Sequence, residues 1–440
     1  MLAGGIATLA LAVPGRGAGA LPPIGCGPPP CAFTPVADWA GARQALRDIL
    51  TRNYLPFWRR LADESRGEGY DLNHDLAGRW LGPSDPALVT QARMLWFFAH
   101  LRRRGHAEPA DETRAARGFK ILTERFLDPT HGGYFWRLRA ADLQPRQAEK
   151  QLYGQAFALF ALSEHALAGG DAAASAAADN AFAAIDAYLR DPALANYHEF
   201  RRRDWTLPPA GSRDYLGQPI GERTQNTRIH LLEALTTYHE LRPTPLVRAR
   251  LAEVVALTEG ALRRSPAYFF RESDTPPYTR QAYGHDVEAL HLLLRARARL
   301  DRCGTPPAFY RRVLADALRL GEDAELGGLF HSGPPGLPPE RRERIDWVQA
   351  ETLLSLATFF RLERDPAHEA AFLRLLNWIG RWQVDWRDGS WYPLIDTDLR
   401  PGGQKADAWR DPYHAARALV GCLRLIGPIL KGSVGGCVPA

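Results

Sequence analysis

Lysine is scarce in this chain. Of its 55 basic residues only Lys120, Lys150, Lys405 and Lys431 are lysines; the arginines are spread along 440 residues, with short runs at 102–104 and 201–203. No basic stripe interleaves with aromatics, so the net charge of +5 reads as a solvated, arginine-rich surface and no nucleic-acid partner is expected. Cysteine is sparse and odd in number: Cys26, Cys31, Cys303, Cys422 and Cys437. Such a set is not a disulfide framework, although Cys26 and Cys31 could pair in an oxidising compartment. After residue 20 there is no run of eighteen apolar residues, which excludes a spanning helix and a membrane partner. Phosphate-cradling loops, dinucleotide fingerprints and the two-histidine helix motif of zinc proteases are all missing. Neither a cofactor nor a metal is therefore expected, with one alternative: His230, His285 and His414 would suit zinc if the fold gathered them.

What is present begins with a leader. Residues 1–20 are small and apolar and end in "GRGAGA". They resemble the apolar region and cleavage site of a secretory signal, but the first basic residue is Arg16, so the positive leading region is missing. We expect a leader and linker at 1–36, one domain at 37–430 and a tail at 431–440. Export to the periplasm or beyond is the expectation, and a cytoplasmic chain the alternative.

Helical periodicity dominates the rest. Amphipathic runs fall near 39–62, 87–104, 111–126, 148–168, 172–190, 226–241, 246–264, 284–300, 306–320, 346–362, 366–384 and 411–426, about twelve helices. Short strand-like pieces lie between them, each after an acidic residue and a turn signal: "GGYFWRL" (132–138), "GGLFHS" (327–332) and "GSWYPLI" (389–395). Polar residues recur on alternate helices at Arg93, Tyr153, His230, His285, Glu351 and His414, separated by 60, 77, 55, 66 and 63 residues. A period near sixty is two helices and their connections, so six helical hairpins are expected. No polar terminal cap is visible, which favours a closed all-α ring of six inner and six outer helices over an open solenoid. Each recurring residue lies in the first two turns of its helix. In a ring those turns converge on one pocket.

Three of these helices carry two polar residues three apart, on one face: His230 with Glu233, His285 with Glu288, and His414 with Arg417. Trp347 and Glu351 are four apart. Two histidines with arginine and carboxylate neighbours suit proton transfer at a carbon next to a carbonyl.

The stretches "RMLWFF", "KQLYGQAFALFALSEHA", "NTRIHLLEAL", "GHDVEALHLLL", "WVQAE" and "WRDPYHAAR" resemble, in order, the motifs of the N-acylglucosamine 2-epimerase family, and most its cellobiose 2-epimerase branch. The resemblance covers about residues 37–430. It implies an (α/α)6 barrel and a cofactor-independent isomerase that inverts C2 of a reducing-end aldose through an enediolate. It implies His285 and His414 as the acid–base pair, with Arg93 and His230 holding the oxygens at the reacting carbons. Glu233, Glu288 and Glu351 would tune the histidines or bind hydroxyls, Trp347 and Trp409 would hold sugar rings, and Tyr153 and Asn226 match polar pocket positions. The expected partner is a small carbohydrate, most suitably a cellobiose-type disaccharide, and the expected state a monomer or weak homodimer. Mannose isomerisation and N-acylglucosamine epimerisation are alternatives within the family; a glycoside hydrolase or a non-catalytic sugar-binding barrel stands outside it. Ala415 and Ala416 stand where many cellobiose epimerases have asparagine and glycine. The proline-rich loop at 331–346 is also unusual. Both features bear on substrate preference.

Overall fold

Two kinds of helix alternate along the chain, and they differ in how their apolar residues are laid out. In α10 (Ala308–Gly321) the buried residues are Tyr310, Val313, Leu314, Ala317 and Gly321, a stripe at three- and four-residue spacing that covers one face. In α3 (Leu88–Arg103) every residue from Leu88 to Ala99 is buried. A helix buried on all sides belongs at the centre of the fold, and one with a stripe belongs at its outside.

The computed structural model describes residues 33–215, 217, 219–264, 280–433 and 437. Its inner helices are α3, α5 (Leu152–Leu167), α7 (Gln225–Leu241), α9 (Tyr283–Arg299), α11 (Asp346–Glu363) and α13 (Tyr413–Leu430). Each packs on the next, and α13 packs back on α3, so the ring is closed. The outer helices α4 (Ala110–Ile121), α6 (Ala172–Ala184), α8 (Pro245–Arg264), α10 and α12 (Pro366–Trp378) each lie against the inner helix that precedes them. The sixth outer position is filled from the other end of the chain. There α1 (Trp39–Asp48) continues through a π-turn (Ile49–Tyr54) into α2 (Leu55–Glu64), and α1 packs on α13. The π-turn has a local cause. Pro56 lacks an N–H and its ring crowds the carbonyl four residues back, so the helix widens just before it.

A repeated device fixes the connections. Asp128, Asp323 and Asp385 each follow an outer helix and accept backbone N–H groups two and three residues on, from Thr130 (3.0 Å), Glu325 (3.0 Å) and Arg387 (3.0 Å) among others. Gly132, Gly327 and Gly389 then close the turn with φ of 71°, 82° and 85°, a region that favours glycine. The second carboxylate oxygen of each aspartate takes a buried cation: Lys150 for Asp128, Arg344 for Asp323, Lys405 for Asp385. Two of the four lysines are thus spent on fully buried pairs.

Glutamines on inner helices set their rotation. Gln155 accepts from Tyr134 N (2.9 Å) and donates to Tyr134 O (2.7 Å); Gln349 does the same at Leu329 and Gln91 at Tyr70. Arg93, Tyr153 and Glu351 each lie two residues from one of these clamps. Of the strand-like pieces only Arg137–Leu138, Ser332–Gly333 and Leu394–Ile395 form strands; short antiparallel ladders lead into inner helices, with Lys150–Gln151 before α5, Gln281–Ala282 before α9 and Arg344–Ile345 before α11. They gather at the end of the ring where the inner helices begin.

Cys303 and Cys437 form a disulfide, which the cysteine count did not lead us to expect, because its partners are 134 residues apart. Cys422 is a buried free thiol. Cys26 and Cys31, and most of the expected leader, lie outside the described residues. Among the described residues no helix is long and apolar enough to cross a membrane.

Candidate active site

The inner helices start around a cavity of about 510 Å³. Arg93, Tyr153, Asn226, His230, His285, Glu288, Trp347, Trp409 and His414 all line it. Two residues expected among the hydroxyl binders do not. Glu233 and Glu351 stand one layer behind the lining, each fully buried, because their carboxylates are drawn to Arg417.

Arg417 organises that layer. Its Nη1 donates to Glu233 Oε1 (2.6 Å), and its Nη2 to Glu351 Oε1 (2.6 Å) and Glu288 Oε1 (2.5 Å). Tyr413 Oη joins Glu233 to the same guanidinium. Three carboxyls share one cation. Burial opposes ionisation of all three, but Arg417 holds Glu233 and Glu351 well below the usual carboxylate range. Burial and the charge of Glu351 instead push Glu288 up to about 8. At neutral pH Glu288 therefore keeps its proton, and the set carries a net charge of −1.

Of the same-helix pairs expected from the spacing, His230 keeps a contact to Glu233, while His414 turns to another helix. His414 on α13 places Nδ1 at 2.6 Å from Glu351 Oε1 on α11, rather than against Arg417. His230 Nδ1 is 3.5 Å from Glu233 Oε2, a loose contact, and its Nε2 is 3.9 Å from Glu288 Oε1 on α9. For His414 the reason is geometric: α11 and α13 pack side by side, which brings Glu351 within reach of its ring. The His230 and His414 rings are 6.5 Å apart, and Trp347 is in ring contact with both His285 (4.8 Å) and His414 (5.6 Å). Gly284 makes room for that indole, since a Cβ there would stand 2.5 Å from Trp347 Cζ3. Burial disfavours imidazolium at all three histidines. It takes His230 down to about 4 and His414 to about 3, and together with the neighbouring histidines takes His285 well below its ordinary value. All three are neutral at rest.

Arg93 is held on several sides. It donates to Asp411 Oδ2 (3.2 Å) and Tyr153 Oη (3.2 Å) and lies over the rings of Phe157 and Tyr413 at 4.2 and 4.5 Å. Tyr54, Tyr215, His331, Asp346, Arg410 and Asp411 also line the cavity and were missed in the sequence. Asp411 could have been found, since it precedes His414 by three residues. Tyr54 could not, because it comes from the π-turn at the other end of the chain. At the rim Trp409 is 47% exposed and stacks on Tyr215, which in turn lies 4.1 Å from Trp136.

Glu288, Glu351 and His414 bring ligand-type atoms within 4.8 Å of one another, among the described residues. Arg417 Nη2 already touches both carboxylates, so the guanidinium fills the place a metal cation would take. The lining carboxylates are also engaged: Asp411 by Arg93, Glu288 by Arg417, and Asp346 by Arg410 at 3.7 Å.

The chain is similar to proteins of known activity. Cellobiose 2-epimerase of Dictyoglomus turgidum is 28% identical over 390 residues, covering 86% of this chain and 96% of that protein. D-mannose isomerase of Marinomonas mediterranea is 24% identical over 372 residues, covering 78% and 88%. The structure of cellobiose 2-epimerase from Spirochaeta thermophila superposes with a TM-score of 0.81 at 27% identity, covering 89% of this chain and 98% of that one. The family model for N-acylglucosamine 2-epimerase (GlcNAc 2-epimerase) matches residues 69–418, and the chain belongs to that family.

Proposed function

We propose that this cavity inverts C2 of a reducing-end aldose, with cellobiose-type β-1,4-linked disaccharides as the preferred substrates. The observation that carries the reading is the convergence of His285 and His414, each in ring contact with Trp347, upon a cavity that also holds Arg93 and His230. The open-chain aldehyde acidifies the C2 proton. One neutral imidazole of the pair takes it, leaving an enediolate. Arg93 and His230 meet the oxygen charge, an electrostatic contribution typically worth about 3–4 kcal/mol per donor. The other imidazole, also neutral at rest, takes up a proton from solvent and delivers it to the opposite face while the first releases its own to solvent; rotation about C2–C3 is the alternative route to the same product. Carbon loses one proton and regains one, and the two histidines exchange roles in the reverse direction. The net −1 of the Arg417 set lies behind them and offsets the transient imidazolium.

A hydrolase would need two carboxyls free to flank a glycosidic bond, and those lining this cavity are bound to arginines. The shelf of Trp409, Tyr215 and Trp136 favours a disaccharide over mannose or an N-acylglucosamine, because a second sugar ring can stack there. The Cys303–Cys437 bond supports an oxidising compartment, in keeping with export. Incubation with cellobiose, mannose and N-acetylglucosamine in deuterated water tests the proposal. Deuterium at C2 of epimerised cellobiose is expected, and no exchange on any of the three would defeat it.

A further inference from the structure

Glu351 stands between two cavities. Its Oε1 meets His414 Nδ1 at 2.6 Å and its Oε2 meets His291 Nε2 at 2.6 Å. His414 lines the cavity described above. His291 lines a smaller one at the opposite end of the ring, with His100, Arg104, Glu164, Arg295 and Arg424. A line of hydrogen bonds, His414–Glu351–His291, thus crosses the barrel.

His291 does not touch the first cavity, and the reaction as written does not use it. Packing does not explain it either. It is 1% exposed and its Nδ1 has no hydrogen-bond partner, a cost that an apolar side chain would avoid. An ionised carboxylate only accepts, so both ring nitrogens that reach Glu351 must carry hydrogen. Arg417 keeps Glu351 ionised.

We infer that His291 is a positioning residue for proton transfer: by donating Nε2–H to Glu351 it orients the carboxylate to take Nδ1–H of His414, which leaves His414 Nε2 as the nitrogen that exchanges a proton with the sugar. His291 keeps its own proton throughout. When His414 Nε2 gains the C2 proton, Glu351 meets the new charge, and when it gives one up the neutral Nδ1–H tautomer returns. The same logic of a carboxylate fixing a histidine tautomer operates in serine-protease triads; here the carboxylate is itself fixed from behind.

The other groups around His414 are Glu288 and His285 from α9, His230 from α7, Arg93 from α3, Tyr54 from the π-turn and Arg417 on its own helix. None of them touches the second oxygen of Glu351, so removing His291 acts on His414 through that carboxylate alone. In His291→Leu the charge of Glu351 loses one donor and falls more fully on His414. The acid limb of kcat/KM for cellobiose should then move to higher pH by half a unit or more. Turnover should fall about 10–100-fold, the loss typical when an outer partner of an oriented histidine is removed, with KM little changed. His291→Gln, whose amide N–H reaches towards the same oxygen, should restore both.

The inference rests on His414 acting as an acid–base residue, and the two readings fail differently. Full C2 exchange by His414→Asn would defeat that assignment. An inactive His414→Asn beside a His291→Leu with the native pH limb would defeat only the role of His291, as would a His291→Gln as impaired as the leucine variant. Should His291→Leu not fold, nitrogen NMR of the native protein decides: hydrogen on Nδ1 of His414 is expected, and hydrogen on Nε2 alone overturns the inference.

Discussion

Trp409 and Tyr215 stack at the cavity rim, their ring centroids 5.7 Å apart and their planes 22° from parallel. Tyr215 is backed by Trp136, so Trp409 presents a supported face to whatever occupies the cavity mouth. Trp409→Ala should lower kcat/KM for cellobiose by about 1–3 kcal/mol, the usual cost of truncating an aromatic anchor. The loss for mannose should be much smaller. Equal losses for both sugars, read from initial rates, would mean that the indole packs the wall and holds no second ring.

His285→Asn and His414→Asn should each reduce turnover by about two orders of magnitude or more while melting near the native temperature. Product formation by chromatography and near-UV circular dichroism on the same samples separate lost chemistry from lost structure.

Glu288 supplies a pH signature. Its carboxyl holds a proton up to about pH 8, because burial and Glu351 disfavour its charge. Above that, the Arg417 set goes from −1 to −2, any imidazolium beside it becomes a poorer acid, and kcat/KM should fall. Stability should follow the same group. Its native value lies above the ordinary carboxyl value, so the native state binds the extra proton, and stability declines as pH rises towards 8. Glu288→Gln should remove the basic limb from the rate profile and flatten urea-unfolding midpoints between pH 5 and 8.

Asp128 and Lys150 meet at 3.0 Å with neither side chain exposed. Asp128→Ala strands the ammonium in the interior and should cost about 3–5 kcal/mol in denaturant unfolding. Replacing both partners with apolar residues, Asp128→Leu with Lys150→Met, should recover much of that loss. A double variant no better than the single one would show that the aspartate's turn contacts matter more than the pair.

Gly284→Ala probes the indole that touches both histidines. The new Cβ would stand 2.5 Å from Trp347 and 2.8 Å from Val348, so the indole that touches His285 and His414 must shift. Activity on every substrate should drop, and overpacking should cost about 1–3 kcal/mol of stability; a kcat loss at temperatures well below the lowered melting point is the result expected.

Much of this site was legible because it repeats. His230, His285 and His414 fall in the opening turns of alternate helices, and a sixty-residue beat in one dimension becomes a ring of side chains in three. Partnerships between helices were not legible. The sequence places Arg417 three residues after His414, yet the ring turns that guanidinium towards Glu233, Glu288 and Glu351 and gives His414 to Glu351 instead. His291 follows Glu288 at the same three-residue step as Glu288 follows His285, a signal that could have been read. Tyr54 offers no such signal: its place beside the histidines exists only because the first helical rod packs against the last helix.

That closure has a consequence for synthesis. A ribosome delivers the N-terminal rod long before α13, the helix against which α1 packs. Until translation is nearly finished, Trp39 lacks the rings of Phe360 and Phe372 on which it stacks, α1 lacks α13, and the polar cluster around Arg417 lacks the arginine itself. Five hairpins can form in order, but the pocket comes into being only at the last joint. Slow elongation or loss of the final helix should therefore expose an apolar rod to proteases and chaperones rather than yield a partly active enzyme.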